Sequence, residues 1–283
     1  MADSSADDSV TGLAISIVTH APDLALLATI LERLGQALHH AKQQDVLTEA
    51  YLVLVDNGPG PGWRKPLQNL LDATHLPATS SELLSGQGNI GYGAAHNLAF
   101  YRSHGDVHLI LNPDVLLEEG ALSEGLAFLA AHPEAGLVAP AVWDGKGQRQ
   151  YLCKGYPTVL DLALRGFAPE WLRRRFQQRL DRYELRAQVG DAVLWDPPLA
   201  SGCFMLCRRA VLEQVGGFDP EYFLYFEDFD LSLRLAVVTR LAYVPTVRIT
   251  HQGGYAARKG WRHIGLFLRA AALFFRRHGW RWW

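Results

Sequence analysis

Short apolar runs alternate with segments of helical periodicity along the first half of the chain. The runs that predict buried strands cover residues 13–20, 51–56, 107–111 and 136–142, with a short stretch at 82–85 before a glycine-rich turn. Between them, apolar residues recur at helical spacing in a segment that opens at Asp23 and in residues 63–73, 94–101 and 120–131. Strands that alternate with helices predict an α/β fold, with a mostly parallel central sheet flanked by helices.

This alternation stops in the second half of the chain. Residues 143–198 include an arginine-rich stretch, 165–186, that predicts a helical insertion, for which a solvated helix face is the simplest explanation. A strand is predicted over 200–208 and a short helix over 227–235. In residues 260–283, arginines recur every seven positions with apolar residues largely opposite, which predicts a basic amphipathic helix at the end of the chain.

Composition and charge narrow the class of protein. Hydrophobic residues make up 49% of the 283, which is enough for a core, and the three cysteines form no CxxC pair, so a reducing, cytoplasmic setting is expected. Residues 1–150 carry 7 basic against 17 acidic residues, whereas residues 151–283 carry 20 against 12. The basic half suggests an anionic partner. Residues 1–12 are polar and acidic, unlike a signal peptide, and are expected to form a flexible tail.

A glycine-rich string, Gly86-Gln-Gly-Asn-Ile-Gly91, matches the dinucleotide-binding pattern GxGxxG, and Asp106 lies at a suitable distance for a ribose contact. That fingerprint normally follows the first, well-formed strand of the fold, whereas the preceding residues here are short and polar. A nicotinamide-dependent dehydrogenase is therefore a distant alternative.

Two clusters of carboxylates are the candidates for chemistry. Asn112-Pro-Asp114 follows a predicted buried strand, so Asp114 is expected at the carboxyl edge of the sheet, where one carboxylate suits a divalent cation that also binds phosphates; a simple turn is the alternative. Glu227, Asp228 and Asp230 follow an aromatic run, where apolar neighbours and like charges resist ionisation. On a helix, Asp230 can pair with Arg234, which leaves Asp228 free to act as a general base; an acidic helix start is the alternative.

A series of motifs, in order, resembles the inverting glycosyltransferases of family 2, and within them the bacterial rhamnosyltransferase branch. The motifs are Ile17-Val-Thr-His20, Val53-Leu-Val-Asp-Asn57, Gly88-Asn-Ile-Gly-Tyr-Gly-Ala-Ala-His-Asn97, Leu111-Asn-Pro-Asp114, Ser201-Gly-Cys-Phe-Met-Leu206, Gly216-Gly-Phe-Asp219, Phe226-Glu-Asp-Phe-Asp-Leu231 and Thr250-His251. The resemblance implies a GT-A fold. It divides the chain into the tail (1–12), a nucleotide-sugar-binding half (13–142), the helical basic insertion (143–198), an acceptor and catalytic half (199–257) and the C-terminal basic helix (258–283).

The resemblance also assigns roles to single residues. Asp228 is the expected catalytic base, and Asp114 with His251 the expected ligands of Mg²⁺ or Mn²⁺, although Asn112 replaces the first aspartate of the family's DxD motif. The remaining donor-binding residues implied are Thr19, Asp56, Asn89, Gly91, Asn97 and Asn112. Those implied to support the acceptor side are Ser201, Gly202, Glu227, Asp230 and Arg234.

The activity so implied is an inverting, metal-assisted transfer of a sugar onto a hydroxyl of a glycan or polyprenyl-diphosphate-linked acceptor in bacterial polysaccharide synthesis. The expected donor is dTDP-L-rhamnose. The alternatives are a UDP-hexose donor on the same fold, or a carbohydrate-binding or assembly protein without turnover. No nucleic-acid partner is expected.

The C-terminal helix carries five arginines, no acidic residue, and the sequence Trp280-Arg-Trp-Trp283. Tryptophan and arginine both favour the headgroup region of a bilayer, so the helix predicts peripheral binding to an anionic membrane, at the inner face of the cell membrane. The alternative is that this helix packs onto the catalytic domain through its apolar residues. No window of the sequence supplies the ~20 apolar residues that span a bilayer.

Overall fold

A computed structural model describes residues 12–77, 79–253 and 261–283. Residues 1–11, which make up most of the expected tail, lie outside the described residues. The strands are β1 (Gly12–Thr19), β2 (Glu49–Asp56), β3 (Thr79–Leu84), β4 (Val107–Leu111), β5 (Val115–Leu117), β6 (Ala135–Trp143), β7 (Arg149–Gln150), β8 (Leu194–Trp195), β9 (Phe204–Arg208) and β10 (Arg240–His251). The helices are α1 (Leu24–Gln43), α2 (Arg64–Ala73), α3 (Tyr92–Arg102), α4 (Ala121–Ala131), α5 (Val159–Phe167), α6 (Glu170–Arg175), α7 (Gln177–Tyr183), α8 (Arg209–Val215), α9 (Glu227–Val238) and α10 (Trp261–His278).

One sheet organises the molecule, with its main strands in the order β3-β2-β1-β4-β9-β6-β10-β5. The pairs β1 with β2, β1 with β4, β2 with β3 and β6 with β10 are parallel. β9 runs antiparallel between β4 and β6. The predicted α/β class with a mostly parallel sheet is confirmed.

Helices cover both faces of this sheet because the strands are apolar on both sides. On one face, Ile15 and Ile17 of β1 pack with Leu27 and Leu31 of α1, in a cluster that α2 and α4 complete. The other face packs against α3, α8 and α9. α1 begins where the Asp23 carboxylate accepts hydrogen bonds from the backbone N–H groups of the first turn.

The long strand β10 was not predicted, and neither were the short strands β5, β7 and β8. β10 is twelve residues long and lies between β6 and β5, so its apolar first half is buried. Arginines and Pro245 interrupt its apolar pattern, and a register shift between Val244 and Arg248 accommodates them in the sheet. Antiparallel pairing with β5 then sets His251 opposite Val115.

The arginine-rich insertion is helical, but one continuous helix does not cover residues 165–186. Three short helices replace it, and the first, α5, begins earlier, at Val159. Thr158 and Asp161 form a reciprocal capping box that fixes this start. Pro169 separates α5 from α6, since a proline has no N–H to continue the first helix.

The C-terminal helix turns its apolar face inward. Phe274 and Phe275 are buried with Ala270 and Ala271 in a cluster that includes Phe226, just before α9. The apolar face of this helix therefore packs onto the rest of the protein, which is the alternative to membrane binding given above. The described helices include none with the length and hydrophobicity needed to cross a lipid bilayer.

Candidate active site

The residues expected at the active site come from several chain segments that end at one edge of the sheet. Asp56 ends β2, Asp114 follows β4 and His251 ends β10. α3 begins at Tyr92, and α9 begins at Glu227. Side chains from both halves of the chain are thus placed close to the beginning of α3.

Tyr92 connects the two halves of the site. Its hydroxyl lies 2.8 Å from Asn112 Oδ1 and 2.7 Å from the carbonyl oxygen of Gly202, so it can donate to either. Burial raises the pKa of Tyr92 well above its usual value, and the negative charges of Glu227, Asp228 and Asp114 raise it further. Carboxylates from the two predicted clusters therefore act on one phenol.

Asp228 is held by backbone donors on both of its oxygens. The N–H of Gly202 donates to Oδ2 at 2.8 Å, and the N–H of Phe229 donates to Oδ1 at 2.9 Å. Burial raises the pKa of Asp228 from its usual value, while these two hydrogen bonds oppose the rise because they stabilise the charged form. The two N–H groups thus orient the carboxylate, and its pKa lies above that of an ordinary aspartate.

The turn before α9 sets this position. Tyr225 and Phe226 both adopt left-handed backbone conformations, with φ of 73° and 66°. Such conformations are uncommon for aromatic residues and need support from their surroundings. Phe226 is buried against Phe267 and Phe274 of α10, which supplies that support.

Glu227, the residue before Asp228, is buried, and its Oε2 atom has no hydrogen-bond partner among the described residues. Burial raises the pKa of Glu227 well above its usual value, and the charge of Asp228 adds to the effect. Burial and the charge of Asp228 therefore both favour the neutral form of Glu227.

Lys154 is a residue that the sequence analysis missed. It is only 4% exposed, its ammonium donates to the Tyr151 carbonyl at 2.8 Å, and it lies 3.9 Å from Glu184 Oε1. Its positive charge lowers the pKa of Asp228, and burial lowers the pKa of Lys154 itself to about 7. Its backbone pairs with Leu199, three residues before Gly202. A lone lysine in the sequence gave no signal of this burial.

The structure brings Asp114 and His251, the two predicted metal ligands, close together. His251 Nε2 lies 3.3 Å from Asp114 Oδ1, and that oxygen is buried without a hydrogen-bond partner among the described residues. Gly253 packs so closely that a Cβ there would lie 1.9 Å from Asp114 Oδ2. A carboxylate and an imidazole fit Mg²⁺ or Mn²⁺ with a diphosphate supplying the other oxygens. Within the described residues, no group of three metal-binding side chains occurs.

A network around Asn57 shapes the loop before α3. Asn57 is buried, its amide donates to Asn89 Oδ1 and to the Gly91 carbonyl, and its Oδ1 accepts from the Ile90 N–H at 2.9 Å. Gly91 has φ of 94°, and a Cβ there would meet the carbonyl oxygen of Phe223 at 2.6 Å. Asn57 was quoted in a motif but given no role; its side chain orders the expected donor loop.

The other expected donor residues are placed differently. Asp56 is buried, and its Oδ1 accepts from the N–H of Gly58 at 3.0 Å. Thr19 is fully buried, with its hydroxyl donating to the Val55 carbonyl at 3.1 Å. Asn97 uses both ends of its amide on the backbone of Phe218. Their donor-binding roles stay predictions, and Thr19 and Asn97 contribute hydrogen bonds within the fold.

The residues expected to support the acceptor side lie in α9 or close to it. Asp230 pairs with Arg234 at 2.7 Å, as the spacing predicted, and also binds Nε2 of His278 from α10 at 2.8 Å. Gly202 holds Asp228, and Ser201 Oγ lies 3.5 Å from the N–H of Cys203. Asp230 is only 1% exposed, so it fixes α9 and α10 together.

Sequence comparison finds similar proteins of one kind. The N-acetylglucosaminyl-diphospho-decaprenol L-rhamnosyltransferase of Mycobacterium tuberculosis is 27% identical over 272 residues, covering 82% of this chain and 85% of the relative. Rhamnosyltransferase WbbL of Escherichia coli K12 is 27% identical over 176 residues, covering 58% of this chain and 61% of the relative. No protein-family model matches the chain.

Solved structures share the fold. A mannosyltransferase from Pyrobaculum calidifontis, in complex with GDP-Man and Mn²⁺, superposes with a TM-score of 0.62 at 18% identity, covering 94% of this chain. GalNAc-T7, solved with UDP, GalNAc and Mn²⁺, superposes with a TM-score of 0.61 at 12% identity, covering 96% of this chain. This chain spans 64% and 50% of the lengths of those two chains.

The motifs, the sequence relatives and the shared fold agree with one another. In sequence the chain resembles rhamnosyltransferases of glycosyltransferase family 2, and its fold is the GT-A fold of the glycosyltransferases with which it superposes.

Proposed function

We propose that this protein is an inverting glycosyltransferase in bacterial glycan synthesis, with Asp228 as its general base. The observation that carries the proposal is that the Tyr92 hydroxyl lies 2.8 Å from Asn112, two residues before Asp114, and 2.7 Å from the carbonyl of Gly202, whose N–H binds Asp228. A donor held on the Asp114 side and an acceptor hydroxyl beside Asp228 would meet between them.

Asp228 would accept the proton of the acceptor hydroxyl while that oxygen attacks the anomeric carbon. The bond to the nucleoside diphosphate breaks on the opposite side, so the anomeric configuration inverts. Burial suits this role because it raises the pKa of Asp228 towards the working range of a base, and the two backbone N–H groups keep its oxygens in place. Glu227, held neutral, avoids a second buried charge.

Asp114 and His251 are the residues that would hold Mg²⁺ or Mn²⁺. A bound divalent cation supplies charge neutralisation to the departing diphosphate. Oδ1 of Asp114 supports this assignment, since it is buried and accepts no hydrogen bond among the described residues, and its neighbour at 3.3 Å is Nε2 of His251, the other expected ligand. Tyr92 and Asn112 would orient the same edge of the donor site.

For the donor we propose dTDP-L-rhamnose, and for the acceptor a lipid-linked diphosphate sugar. The support is the name of the mycobacterial relative, which transfers L-rhamnose to N-acetylglucosaminyl-diphospho-decaprenol. Such an acceptor is embedded in a bilayer, so the enzyme would work as a peripheral protein at the inner face of the membrane. The exposed tryptophans at the C-terminus, not the buried apolar face of α10, would make that contact.

Replacement of Asp228 tests the base. Asp228→Asn is expected to lower turnover by ~10²–10⁴-fold and to leave the dissociation constant of the donor nearly unchanged, because an amide cannot accept the proton. Release of nucleoside diphosphate and transfer to the lipid-linked acceptor measure turnover, and calorimetry measures donor binding. The matched control is Asp72→Asn, on the exposed face of α2.

Normal turnover by Asp228→Asn would show that another group is the base. Transfer from a UDP-hexose, but not from dTDP-L-rhamnose, would correct the donor and leave the base assignment intact. A wild-type protein that binds sugars but releases no diphosphate would be an assembly protein.

A further inference from the structure

The basic insertion has two exposed aromatic side chains that the proposed chemistry does not use. Phe167, the last residue of α5, is 55% exposed, and Trp171 of α6 is 70% exposed. Exposed arginines surround them, at Arg165 and in the run Arg173-Arg174-Arg175. Large aromatic side chains on a protein surface, set among basic residues, indicate an interaction site.

The charges around these aromatics are predominantly positive. Arg174 pairs with Glu170, the one acidic residue in 165–175. Arg173 and Arg175 form no ion pair within the described residues. This stretch, residues 159–175, is called the insertion arm below.

The insertion arm is joined to the C-terminus of the chain. At the first turn of α5, the N–H of Val159 donates to the Arg281 carbonyl at 2.8 Å and that of Leu160 to the Trp282 carbonyl at 3.2 Å. The Tyr156 hydroxyl donates to the Gly279 carbonyl at 2.7 Å. The nine residues of α5 extend about 13 Å, so Phe167 lies within that distance of the joint.

The C-terminal segment, residues 279–283, shows the same composition. Trp280 and Trp282 stack at 5.3 Å and are 50% and 60% exposed, and Trp283 is 87% exposed. Residues 261–283 contain no aspartate or glutamate. Stacking and the backbone joint hold these rings in place although they are exposed.

We propose that the insertion arm and the C-terminal segment together form one docking surface for the headgroup region of an anionic bilayer. This inference rests on the proposed function only for its purpose, because a lipid-linked acceptor must be reached at a membrane. Tryptophan and phenylalanine insert at the depth of the headgroups, and arginines are attracted to anionic lipids. The arm contains two acidic residues, but Asp161 is buried against Arg179 and Glu170 pairs with Arg174. The excess of positive charge that is left at the surface favours an anionic lipid surface over a protein partner, whose interface would present both signs of charge.

Vesicle binding by the full chain tests the arm. Wild-type protein is expected to sediment with vesicles of phosphatidylcholine and phosphatidylglycerol, and Phe167→Ser/Trp171→Ser to bind at least about tenfold more weakly. The matched control is Val237→Ser, which removes another exposed apolar side chain, 85% exposed, at the end of α9. Arg173→Gln/Arg175→Gln is expected to weaken binding to the anionic vesicles and not to pure phosphatidylcholine, because it removes charge alone.

Several outcomes separate this inference from the proposed activity. If the aromatic double variant, folded by circular dichroism, binds vesicles as Val237→Ser does, the arm is not part of the surface. If the wild type binds no vesicles, the membrane surface as a whole is wrong, whereas release of nucleoside diphosphate from the donor in solution still reports on the transferase. If the double variant converts a wild-type dimer to monomers in sedimentation velocity, the arm is an interface between copies, and the lipid assignment is overturned.

Discussion

Opposing influences act on the pKa of Asp228, the proposed general base. Burial raises its pKa, whereas the N–H groups of Gly202 and Phe229 and the charge of Lys154 lower it. A base with a pKa far below neutrality accepts protons poorly, and one far above is already protonated. Lys154 is the smallest of these influences, but it is the one that can be removed without changing the carboxylate or the backbone.

Lys154→Met is expected to raise the pKa of Asp228, because the nearby positive charge that favours its ionised form is lost. The acidic limb of the pH dependence of kcat/KM should move to higher pH by up to about one unit. Lys154→Arg, which keeps the charge, should restore the limb. Lys146→Met, in an exposed turn, is the control, and an unmoved limb in Lys154→Met would show that Lys154 is only a packing residue.

Gly253 is expected to set the position of Asp114. A Cβ at this residue would lie 1.9 Å from Asp114 Oδ2, so Gly253→Ala must displace the carboxylate or the end of β10. We expect Mn²⁺ to bind at least about tenfold more weakly in the presence of donor, measured by calorimetry. In Gly265→Ala, where a Cβ meets open space on α10, binding should be unchanged. Equal affinity in the two variants contradicts the role of Asp114 as a ligand.

At the scale of elements, α10 supports α9, the helix that carries the proposed base. Phe274 packs on Phe226, and His278 binds Asp230 at 2.8 Å. The hydroxyl of Tyr225, in the turn before α9, lies 2.9 Å from His263 Nδ1 of α10. The C-terminal helix therefore holds the turn that presents Glu227 and Asp228, in addition to carrying the exposed tryptophans beyond it.

Phe274→Ala is expected to lower the free energy of unfolding by about 3–5 kcal/mol, because Phe274 is fully buried and its removal leaves a cavity. Leu268→Ala, on the same helix but 54% exposed, should change it by less than about 0.5 kcal/mol. Urea denaturation measures both. If the two variants unfold alike, α10 does not pack on α9 as described.

At the scale of the whole molecule, the sheet joins two halves of opposite charge and also buries a histidine pair. The hydroxyl of Ser16 in β1 lies 2.7 Å from His96 Nδ1 of α3 and 2.9 Å from His108 Nε2 of β4. Burial lowers the pKa of His96 well below its usual value and lowers that of His108 to about 3. Both rings are therefore neutral in the folded protein at neutral pH.

This pair predicts a loss of stability in acid. The unfolded chain protonates these histidines near pH 6.5, and the folded chain binds a proton on His108 only near pH 3, so their contribution is complete above about pH 6.5 and declines as the pH falls. The slope is at most about 1.4 kcal/mol per pH unit for each histidine. Urea denaturation from pH 7 to 4 should show a shallower decline for His108→Gln than for the exposed control His39→Gln. Identical slopes would contradict it.

Much of this molecule was predictable from local patterns. Periodicity gave the α/β class and most strands and helices of the first half, because these segments are apolar where they are buried. It failed at β10, where arginines and Pro245 interrupt the pattern, and at the insertion, where Pro169 divides the helix. The candidate site residues were identified from short motifs. These motifs do not show that the polar side-chain atoms of Thr19 and Asn97 form hydrogen bonds within the fold.

The sequence by itself determined the alternation of elements, the carboxylates at the ends of strands and the basic, tryptophan-rich end of the chain, since each is a property of neighbouring residues. Only the tertiary structure decided that the charges of Asp114 and Asp228 both raise the pKa of Tyr92 and that the buried Lys154 lowers the pKa of Asp228. It also decided that α10 turns its apolar face to α9. The physical reason is that charge coupling and burial depend on distances through space between residues far apart in the chain.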